Sequence, residues 1–261
     1  MDFAQDLAGK RVVVTGACGV IGGWIVASFA AAGARLCVTD ADAAALAELA
    51  GRLPQGSFAH SADLRDAAAI EGLFEAVAAE WGAADVVVNN AGVYPSGFLL
   101  DIDAEEWDRI FDINLRAPFL VTRAAARQMV KAGVKGNIIN ISSGAARKMR
   151  RSVVPYCTSK TALDRLTKGF ALELAEYGIR VNALEPGFAP GSTASPLTEA
   201  HVANTTAAIP LGRGSSPEDV GNALLYLASS AASYVTGATL TVDGGNSIGN
   251  MAVFQDKKSA L

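Results

Sequence analysis

The chain has 261 residues, a net charge of −4, 51% hydrophobic residues and 18% charged residues. This length can bury a large core, and the composition is that of a globular protein rather than a disordered one. The acidic balance argues against an extended nucleic-acid surface, which needs an excess of Lys and Arg. Cys18, Cys37 and Cys157 are odd in number and widely spaced, so we expect buried free thiols in the reducing cytoplasm and neither disulfides nor a metal site.

Residues 12–34 form an uncharged run that follows Lys10 and Arg11, a pattern shared with signal peptides and spanning helices. Glycines at positions 16, 19, 22 and 23 interrupt the run, and its first half is β-branched. A strand, a tight turn and a buried helix explain this pattern better. We therefore expect no membrane segment and no export.

A glycine-rich turn follows the first predicted strand, residues 11–15. Residues 15–22 read Thr-Gly-Ala-Cys-Gly-Val-Ile-Gly, and a helical pattern continues from there to about Ala32. Glycines at a strand-to-helix turn let the backbone approach a pyrophosphate, whose charge is favoured at a helix N-terminus. The turn therefore indicates a nucleotide site, although the motif alone is a weak signal.

The second predicted strand, residues 35–39, ends in Asp40, eighteen residues after Gly22. An acid at this position can accept hydrogen bonds from both hydroxyls of an adenosine ribose, and it repels a 2′-phosphate. The alternative is that Asp40 only caps a helix that begins near Ala41.

Strands and helices alternate along the rest of the chain. The predicted helices are 42–53, 67–81, 104–132, 156–177 and 220–227, and the predicted strands are 58–62, 84–88, 137–141, 179–184 and 238–242. A bend is expected near Pro118 in the helix 104–132. This alternation predicts one doubly wound, Rossmann-type α/β domain over residues 1–261, with a mainly parallel seven-stranded sheet and helices on both faces. Residues 188–214 are rich in Pro, Gly, Ser and Thr with weak periodicity, so we expect a substrate lid there.

Polar residues occur where predicted strands end and inside one predicted helix. Residues 89–92, Asn-Asn-Ala-Gly, suit ligand contact, although Asn and Gly are also ordinary turn residues. Asn114 lies within the helix 104–132, where an Asn usually faces solvent or marks a kink. Ser143 follows the strand 137–141, thirteen residues before Tyr156.

Tyr156 and Lys160 lie four residues apart in a helical pattern, so their side chains share one face. A cation beside a phenolate favours the ionised form and moves the phenol pKa from about 10 towards neutrality. The pair is a plausible proton-transfer device, but most such pairs are surface pairs.

Together these features resemble the short-chain dehydrogenase/reductase family, in its single-domain branch of about this length. The resemblance covers nearly the whole chain and depends on residues 89–92, Asn114, Ser143, Tyr156 and Lys160, which occur in the family's order.

The resemblance implies a role for each of these side chains. Tyr156 would be the general acid/base that exchanges a proton with the substrate oxygen, and Ser143 would hydrogen-bond the same oxygen. Lys160 would lower the pKa of Tyr156 and hold the nicotinamide ribose. Asn114 would hold a water that links the lysine to solvent.

The resemblance also implies a cofactor site and a homotetramer. Asp63 and Leu64 would flank the adenine, and Asn90 would contact the cofactor ribose. The full set of expected cofactor contacts is Gly16, Gly19, Val20, Ile21, Gly22, Asp40, Asp63, Leu64, Asn90, Tyr156, Lys160 and Ala189. Asp40, with no Arg or Lys in the glycine turn, favours NAD over NADP.

Three positions depart from the family pattern. Val20 replaces the middle glycine and Gly19 precedes it, a spacing that resembles the family's longer branch, which includes sugar epimerases. Gly191 stands where a threonine is expected, with residues 192–193 as candidate substitutes. Glu185 stands where small residues are common, and the sequence offers no reason for it.

Four of the five residues 147–151 are basic. A surface cluster or a subunit contact is the default interpretation. The sharper hypothesis is that Arg147, or a neighbour, pairs with an anionic group on the substrate, such as a carboxylate or sulfonate.

The function predicted from the sequence is an NAD-dependent interconversion of a secondary alcohol and its ketone. An NADPH-dependent 3-oxoacyl-thioester reductase is the alternative, and a non-catalytic NAD-binding regulator is the rival class. Residues 245–249 match a hydrolase nucleophile elbow, but His60 and His201 both precede it, so a hydrolase is rejected. Two histidines and scattered cysteines also exclude a zinc dehydrogenase of the usual kind.

Overall fold

A seven-stranded parallel sheet forms the centre of the computed structural model, which describes residues 3, 5–191 and 197–249. The strand order is β3-β2-β1-β4-β5-β6-β7. The strands are β1 Arg11–Thr15, β2 Arg35–Thr39, β3 Phe58–Ala59, β4 Val86–Asn89, β5 Asn137–Ile141, β6 Arg180–Pro186 and β7 Thr239–Val242. This order reverses between β1 and β4, so the carboxyl ends of those strands flank the crevice where such sheets bind ligands.

Helices cover both faces of the sheet, as the sequence predicts. They are α1 Val20–Ala31, α2 Ala43–Ala50, α3 Ala67–Trp81, α4 Ala104–Phe111, α5 Ala117–Ala132, α6 Val154–Leu174, α7 Glu199–Ala207 and α8 Pro217–Ala228. Successive valines of β1 take part in two cores: Val12 and Val14 pack with α1 and α8, and Val13 packs with α3 and α5. Burial of each such side chain stabilises the folded protein by about 1.5–3 kcal/mol, which is why the strands are apolar on both faces.

The helix predicted over residues 104–132 is irregular close to the expected bend at Pro118, where a π-helical turn, Asp112–Arg116, separates α4 from α5. Pro118 has no N–H to donate to the carbonyl of Asn114, so the α-helical bonding pattern cannot pass through this point. The amide of Ala117 instead reaches back to the carbonyl of Asp112, five residues earlier. Such π turns often mark functional sites, and this one carries Asn114.

Other differences from the prediction are local. The strand expected over 58–62 has only two residues, Phe58–Ala59. Within the segment 188–214 the structure adds α7, which the weak periodicity did not indicate and which Thr198 caps by accepting from the amide of His201.

The uncharged run over residues 12–34 divides into β1, the glycine turn, α1 and the start of the following loop. Among the helices that the structure describes, none is long and apolar enough to cross a membrane. All three cysteines are free; Cys37 and Cys157 are buried as expected, whereas Cys18 is only half-buried.

Candidate active site

The glycine turn between β1 and α1 contains glycines of two kinds. Gly16 has a φ of +62°, and a Cβ built there would lie 2.7 Å from Ala91 Cα. A Cβ on Gly22 would lie 2.1 Å from the carbonyl oxygen of Gly16. Both positions therefore require glycine for the packing of the turn itself.

Gly19 differs, because none of the residues that the structure describes excludes a side chain at this position. Its φ is −72°, and a Cβ there would meet only the Gly16 carbonyl oxygen, at 3.6 Å. Gly19 is the N-cap of α1 without a capping side chain, and Val20 and Ile21 begin the helix, where backbone N–H groups lack helical partners. A glycine here leaves the positive end of the helix open, and this arrangement fits a cofactor pyrophosphate.

Asp40 lies at the carboxyl end of β2 and contacts this turn. Its two carboxylate oxygens accept hydrogen bonds from the backbone N–H of Cys18, at 3.0 Å, and of Asp42, at 3.1 Å. The cap of α2 is Asp42, which accepts from the amides of Ala44 and Ala45. The alternative role of Asp40 as the helix cap is therefore wrong. Burial, helped by the Asp40 charge, raises the pKa of the Cys18 thiol to about 11.

Asp63 and Leu64 follow β3 and lie beyond Asp40 along the same edge. The amide of Ala62 donates to the Asp40 carbonyl at 3.3 Å, which ties the two segments together. Leu64 is buried, and Asp63 forms an ion pair with Arg65 at 2.6 Å that holds the pKa of Asp63 below its usual value. The carboxylate expected to flank an adenine is thus paired within the protein.

Asn90, at the end of β4, bridges to the glycine turn. Its side-chain amide donates to the carbonyl oxygens of Thr15, at 3.0 Å, and Gly16, at 2.8 Å. The Thr15 hydroxyl oxygen accepts in return from the backbone N–H groups of Asn90 and Ala91. The amide group of Asn90 therefore holds the turn in place.

Asn114 is fully buried rather than exposed to solvent. Its Oδ1 accepts a hydrogen bond from the backbone N–H of Val93, and its Nδ2 donates one to the carbonyl oxygen of Val93, both at 2.8 Å. The same Nδ2 donates to the hydroxyl oxygen of Ser159 at 3.1 Å. A Cβ built on Gly92 would lie 3.4 Å from Asn114 Oδ1 and 3.6 Å from Lys160 Nζ. The π turn, the end of β4 and α6 therefore meet at one place.

Tyr156 and Lys160 face this place from the first turns of α6. Lys160 is 4% exposed, and burial lowers its pKa to about 8, an effect that the Asp164 charge opposes. Burial raises the pKa of Tyr156 above its ordinary value, while a hydrogen bond from Ser143 and the charge of Arg150 act in the opposite direction. The sequence predicts a lowered phenol pKa, and this direction is wrong for the structure because desolvation outweighs the nearby charges.

Ser143 follows β5 in an extended conformation, with φ −162° and ψ 150°. Its hydroxyl oxygen accepts a hydrogen bond from the backbone N–H of Ala145 at 3.2 Å, and the hydroxyl is near enough to Tyr156 to act against the rise in the phenol pKa. Tyr94 packs edge-to-face on Tyr156, with 6.0 Å between ring centroids. Nothing in the sequence pattern singles out Tyr94, because its contact with Tyr156 spans 62 residues.

Arg147 does not extend into the cleft as a free cation. Its Nη2 lies 2.7 Å from Oε2 of Glu185, a residue with no exposed surface. This ion pair accounts for Glu185, for which the sequence alone offers no reason. Of the neighbouring basic residues, Arg151 stacks over Phe98 at 5.0 Å, and Arg150 is exposed.

The remaining predicted contacts follow β6. Ala189 is half-buried, and Gly191 has a φ of +102°. Residues 192–193, the candidate substitutes for the missing threonine, lie outside the described residues. Clusters of three or more His, Cys, Asp or Glu side chains that could hold a metal ion do not occur in the described part of the chain.

The strand order, the glycine turn at β1 and the acid at the end of β2 define a Rossmann-type dinucleotide-binding fold. Residues 16–247 match a family model described as enoyl-(acyl carrier protein) reductase. Galactitol 2-dehydrogenase of Agrobacterium fabrum is 33% identical over 92% of this chain and 98% of its own. The (3R)-3-hydroxyacyl-CoA dehydrogenase of Rattus norvegicus is 38% identical over 92% of this chain and 96% of its own.

Solved structures agree with these similarities. A short-chain type dehydrogenase/reductase from Mycobacterium marinum superposes with a TM-score of 0.86 at 37% identity, covering 93% of this chain and 97% of that one. A gluconate 5-dehydrogenase from Burkholderia cenocepacia, in complex with NADP and tartrate, has a TM-score of 0.87 at 31% identity, covering 94% and 99%. The chain belongs to the short-chain dehydrogenase/reductase family, whose members are oxidoreductases that bind a nicotinamide cofactor.

Proposed function

We propose that this protein interconverts a secondary alcohol and its ketone by NAD-dependent hydride transfer, with Tyr156 as general acid/base. The observation that carries the proposal is the convergence of Ser143, Tyr156, Lys160 and Asn114 at the carboxyl edge of the sheet, next to the glycine turn.

The proton chemistry follows from the positions of these groups. In the oxidative direction the Tyr156 phenolate takes the proton of the alcohol, and in the reductive direction the phenol returns it. The Ser143 hydroxyl donates a hydrogen bond to the same oxygen and stabilises the charge that develops there. When bound, the nicotinamide cofactor supplies the hydride acceptor or donor, and its oxidised ring adds a positive charge to the cleft.

Lys160 keeps a cation within a largely dry site. Its pKa of about 8 leaves the ammonium mostly protonated at neutral pH. A cation at this distance favours the phenolate. Ser143 and the charge of Arg150 offset part of the desolvation that raises the pKa of Tyr156. Asn114 positions the loop that follows β4 and could hold the water that links Lys160 to solvent.

Asp40 supports NAD as the cofactor. Its half-buried carboxylate adjoins the glycine turn, where it can accept from ribose hydroxyls and repel a 2′-phosphate. The Burkholderia neighbour was solved in complex with NADP, so the assignment of NAD to this chain rests on Asp40 and not on that similarity.

A 3-oxoacyl-thioester reductase is the second candidate. Exposed apolar side chains at the loop before α4 favour it, with Phe98 at 51%, Leu99 at 55% and Leu100 at 99% exposure. This loop meets the catalytic tyrosine through Tyr94, so an apolar acyl chain would find contacts there. The matching family model is described as an acyl carrier protein reductase, and the rat relative is a hydroxyacyl-CoA dehydrogenase, so both similarities favour an acyl-thioester substrate. Asp40 argues against this alternative, because its carboxylate would repel the 2′-phosphate of NADPH.

Two finer features belong to the same proposal. Residues 188–214 act as a substrate lid in this proposal, supported by the position of the described parts, 188–191 and 197–214, after β6 at the carboxyl edge of the sheet. The assembly is a homotetramer through α5 and α6, which expose apolar side chains such as Phe119 and Leu172. Light scattering of the purified protein tests the assembly.

The decisive experiment is a turnover assay with NAD⁺ and NADP⁺ on secondary alcohols, polyols and 3-hydroxyacyl thioesters. Turnover of an alcohol or a polyol with NAD⁺, lost in Tyr156→Phe, supports the proposal. Activity restricted to thioesters with NADP⁺ would favour the reductase. A protein that binds NAD⁺ but turns over nothing would favour the non-catalytic regulator.

A further inference from the structure

Glu185 is an acid in the interior of the sheet. It lies on β6 opposite Thr241 of β7 and has no exposed surface. Taking a carboxylate out of water is unfavourable unless the charge is paired and hydrogen-bonded. The burial of Glu185 therefore requires a cationic partner that pairs with its carboxylate.

Arg147 is that partner. Its Nη2 lies 2.7 Å from Glu185 Oε2 and donates to the hydroxyl oxygens of Thr241 and Ser247, both at 2.8 Å. Thr241 in turn donates its hydroxyl to Glu185 Oε2 at 2.7 Å. One guanidinium therefore joins three segments: the loop after β5, strand β6, and β7 with the turn that follows it.

The same arginine is rigidly connected to Ser143. A single 3₁₀ turn, Gly144–Ala146, separates the two residues. It is closed by a hydrogen bond from Ala146 N to the Ser143 carbonyl at 2.8 Å and by one from Arg147 N to the Gly144 carbonyl at 3.2 Å.

The 3₁₀ turn Gly144–Ala146 is also tightly packed on the side of Gly144 that faces Ser247. A Cβ built on Gly144 would lie 3.0 Å from Ser247 Cβ, and Ser247 is one of the groups that Arg147 binds. A displacement of the Arg147 side chain would therefore displace the turn and the hydroxyl at its start.

We propose that the Arg147–Glu185 ion pair positions Ser143 against Tyr156 and the substrate oxygen. The inference rests on the function proposed above. In this proposal Arg147 is a positioning residue and does not bind an anionic substrate. The basic run therefore contains one arginine that is paired with Glu185 and other cations that are not. Glu185, where the family usually has a small residue, is present to anchor that arginine.

A double-mutant cycle tests whether the ion pair acts through Ser143. Arg147→Met, Glu185→Gln and the two together are made in the unaltered protein and in Ser143→Ala. In the unaltered background, kcat should fall about tenfold or more, as happens when a reacting group is slightly misplaced. The KM for NAD⁺ should change little, because the proposed cofactor contacts, Asp40 and the glycine turn, lie at β1 and β2, whereas the ion pair lies at β5 and β6.

In the Ser143→Ala background the same changes should cost almost nothing further, since the group that they position is gone. Equal losses in both backgrounds would overturn the proposal and leave the pair a structural one. Lys148→Met removes an exposed neighbouring cation and serves as the matched control. Arg147→Lys, which keeps the charge, should recover part of the lost kcat.

Hydrogen exchange gives a second test that does not need turnover. Backbone amides of residues 144–148 should exchange faster in Arg147→Met than in the unaltered protein, and Lys148→Met should leave them unchanged. Unchanged exchange in Arg147→Met would refute the positioning role even if no substrate is found. Absence of turnover in the unaltered protein would count against the proposed function alone. Arg147 is 47% exposed on its side chain, so its variant should fold even if Glu185→Gln does not.

Discussion

Lys160 Nζ lies 5.9 Å from the centroid of the Tyr156 ring and donates a 2.7 Å hydrogen bond to the carbonyl oxygen of Ile141. The ammonium is thus fixed by the end of β5, the strand that leads directly to Ser143. Tyr156, the acid/base that we propose, lies on α6 with Lys160, and Ser143 directly follows the adjoining strand β5. Their relative positions therefore depend on the packing of α6 against the sheet rather than on a mobile loop.

Tyr156→Phe tests the proton-transfer role most directly. The change removes one oxygen from a packed ring, so we expect the fold and the affinity for NADH to persist. Because the acid/base is lost, kcat should fall by about 10²–10⁴-fold. Steady-state kinetics with a secondary alcohol measure this effect, and a NADH fluorescence titration is the control. A variant that oxidises the alcohol as fast as the unaltered protein would contradict the mechanism.

Lys160→Met should show a pH-dependent gain in stability. Burial depresses the lysine pKa from 10.5 to about 8, so the folded state disfavours the charged form. The penalty is present in full below pH 8 and disappears as the pH rises towards the unfolded value of 10.5. The stability difference between variant and unaltered protein should therefore shift in favour of the variant by about 1–3 kcal/mol at pH 7 relative to pH 10.

Urea unfolding at the two pH values measures that difference. The packing that the substitution changes is the same at both pH values, so it cancels from the comparison. The stronger hydrogen bond that the charged form makes to Ile141 is already contained in the folded-state pKa of Lys160. A stability difference that does not change between pH 7 and pH 10 would mean that Lys160 titrates normally in the folded protein.

Asp40→Asn should relax the cofactor preference. The variant keeps hydrogen-bonding capacity towards the Cys18 amide but loses the charge that repels a 2′-phosphate. We expect kcat/KM with NADP⁺ to rise about tenfold relative to that with NAD⁺, corresponding to about 1.4 kcal/mol of removed repulsion.

Asp42→Asn is the matched control for this change. Asp42 is a nearby acid, and an asparagine in its place still caps α2. The preference should stay unchanged in this variant. An equal shift in both variants would indicate a general effect of net charge rather than a specific role of Asp40.

Much of the fold could be predicted from local sequence. Val86, Val87 and Val88 form a continuous apolar run, which is typical of a strand covered on both faces, and they lie in β4 of the sheet. The i, i+4 spacing of Tyr156 and Lys160 likewise predicts a shared face, which the contact between them confirms.

The rest depends on partners that are distant in sequence. Asn114 is buried because its side chain bonds to Val93, 21 residues away, and nothing local to the helix indicates this. Glu185 is explained only by Arg147, 38 positions earlier in the chain. The direction of the Tyr156 pKa shift follows from how deeply α6 packs, a tertiary property that spacing along the helix does not contain.

The two kinds of glycine in the turn predict opposite outcomes for two substitutions. Gly22→Ala should prevent correct folding or lower the thermal unfolding temperature strongly, because its Cβ would lie 2.1 Å from the Gly16 carbonyl oxygen.

Gly19→Ser should fold well, since its Cβ meets no described atom closer than 3.6 Å and serine is a favourable N-cap. The serine nevertheless occupies the space that a pyrophosphate needs at the start of α1, so NADH affinity should fall about tenfold or more, corresponding to at least about 1.4 kcal/mol. Thermal unfolding combined with NADH titration separates the two effects. Unchanged NADH affinity in a well-folded Gly19→Ser protein would show that the cofactor does not approach this turn.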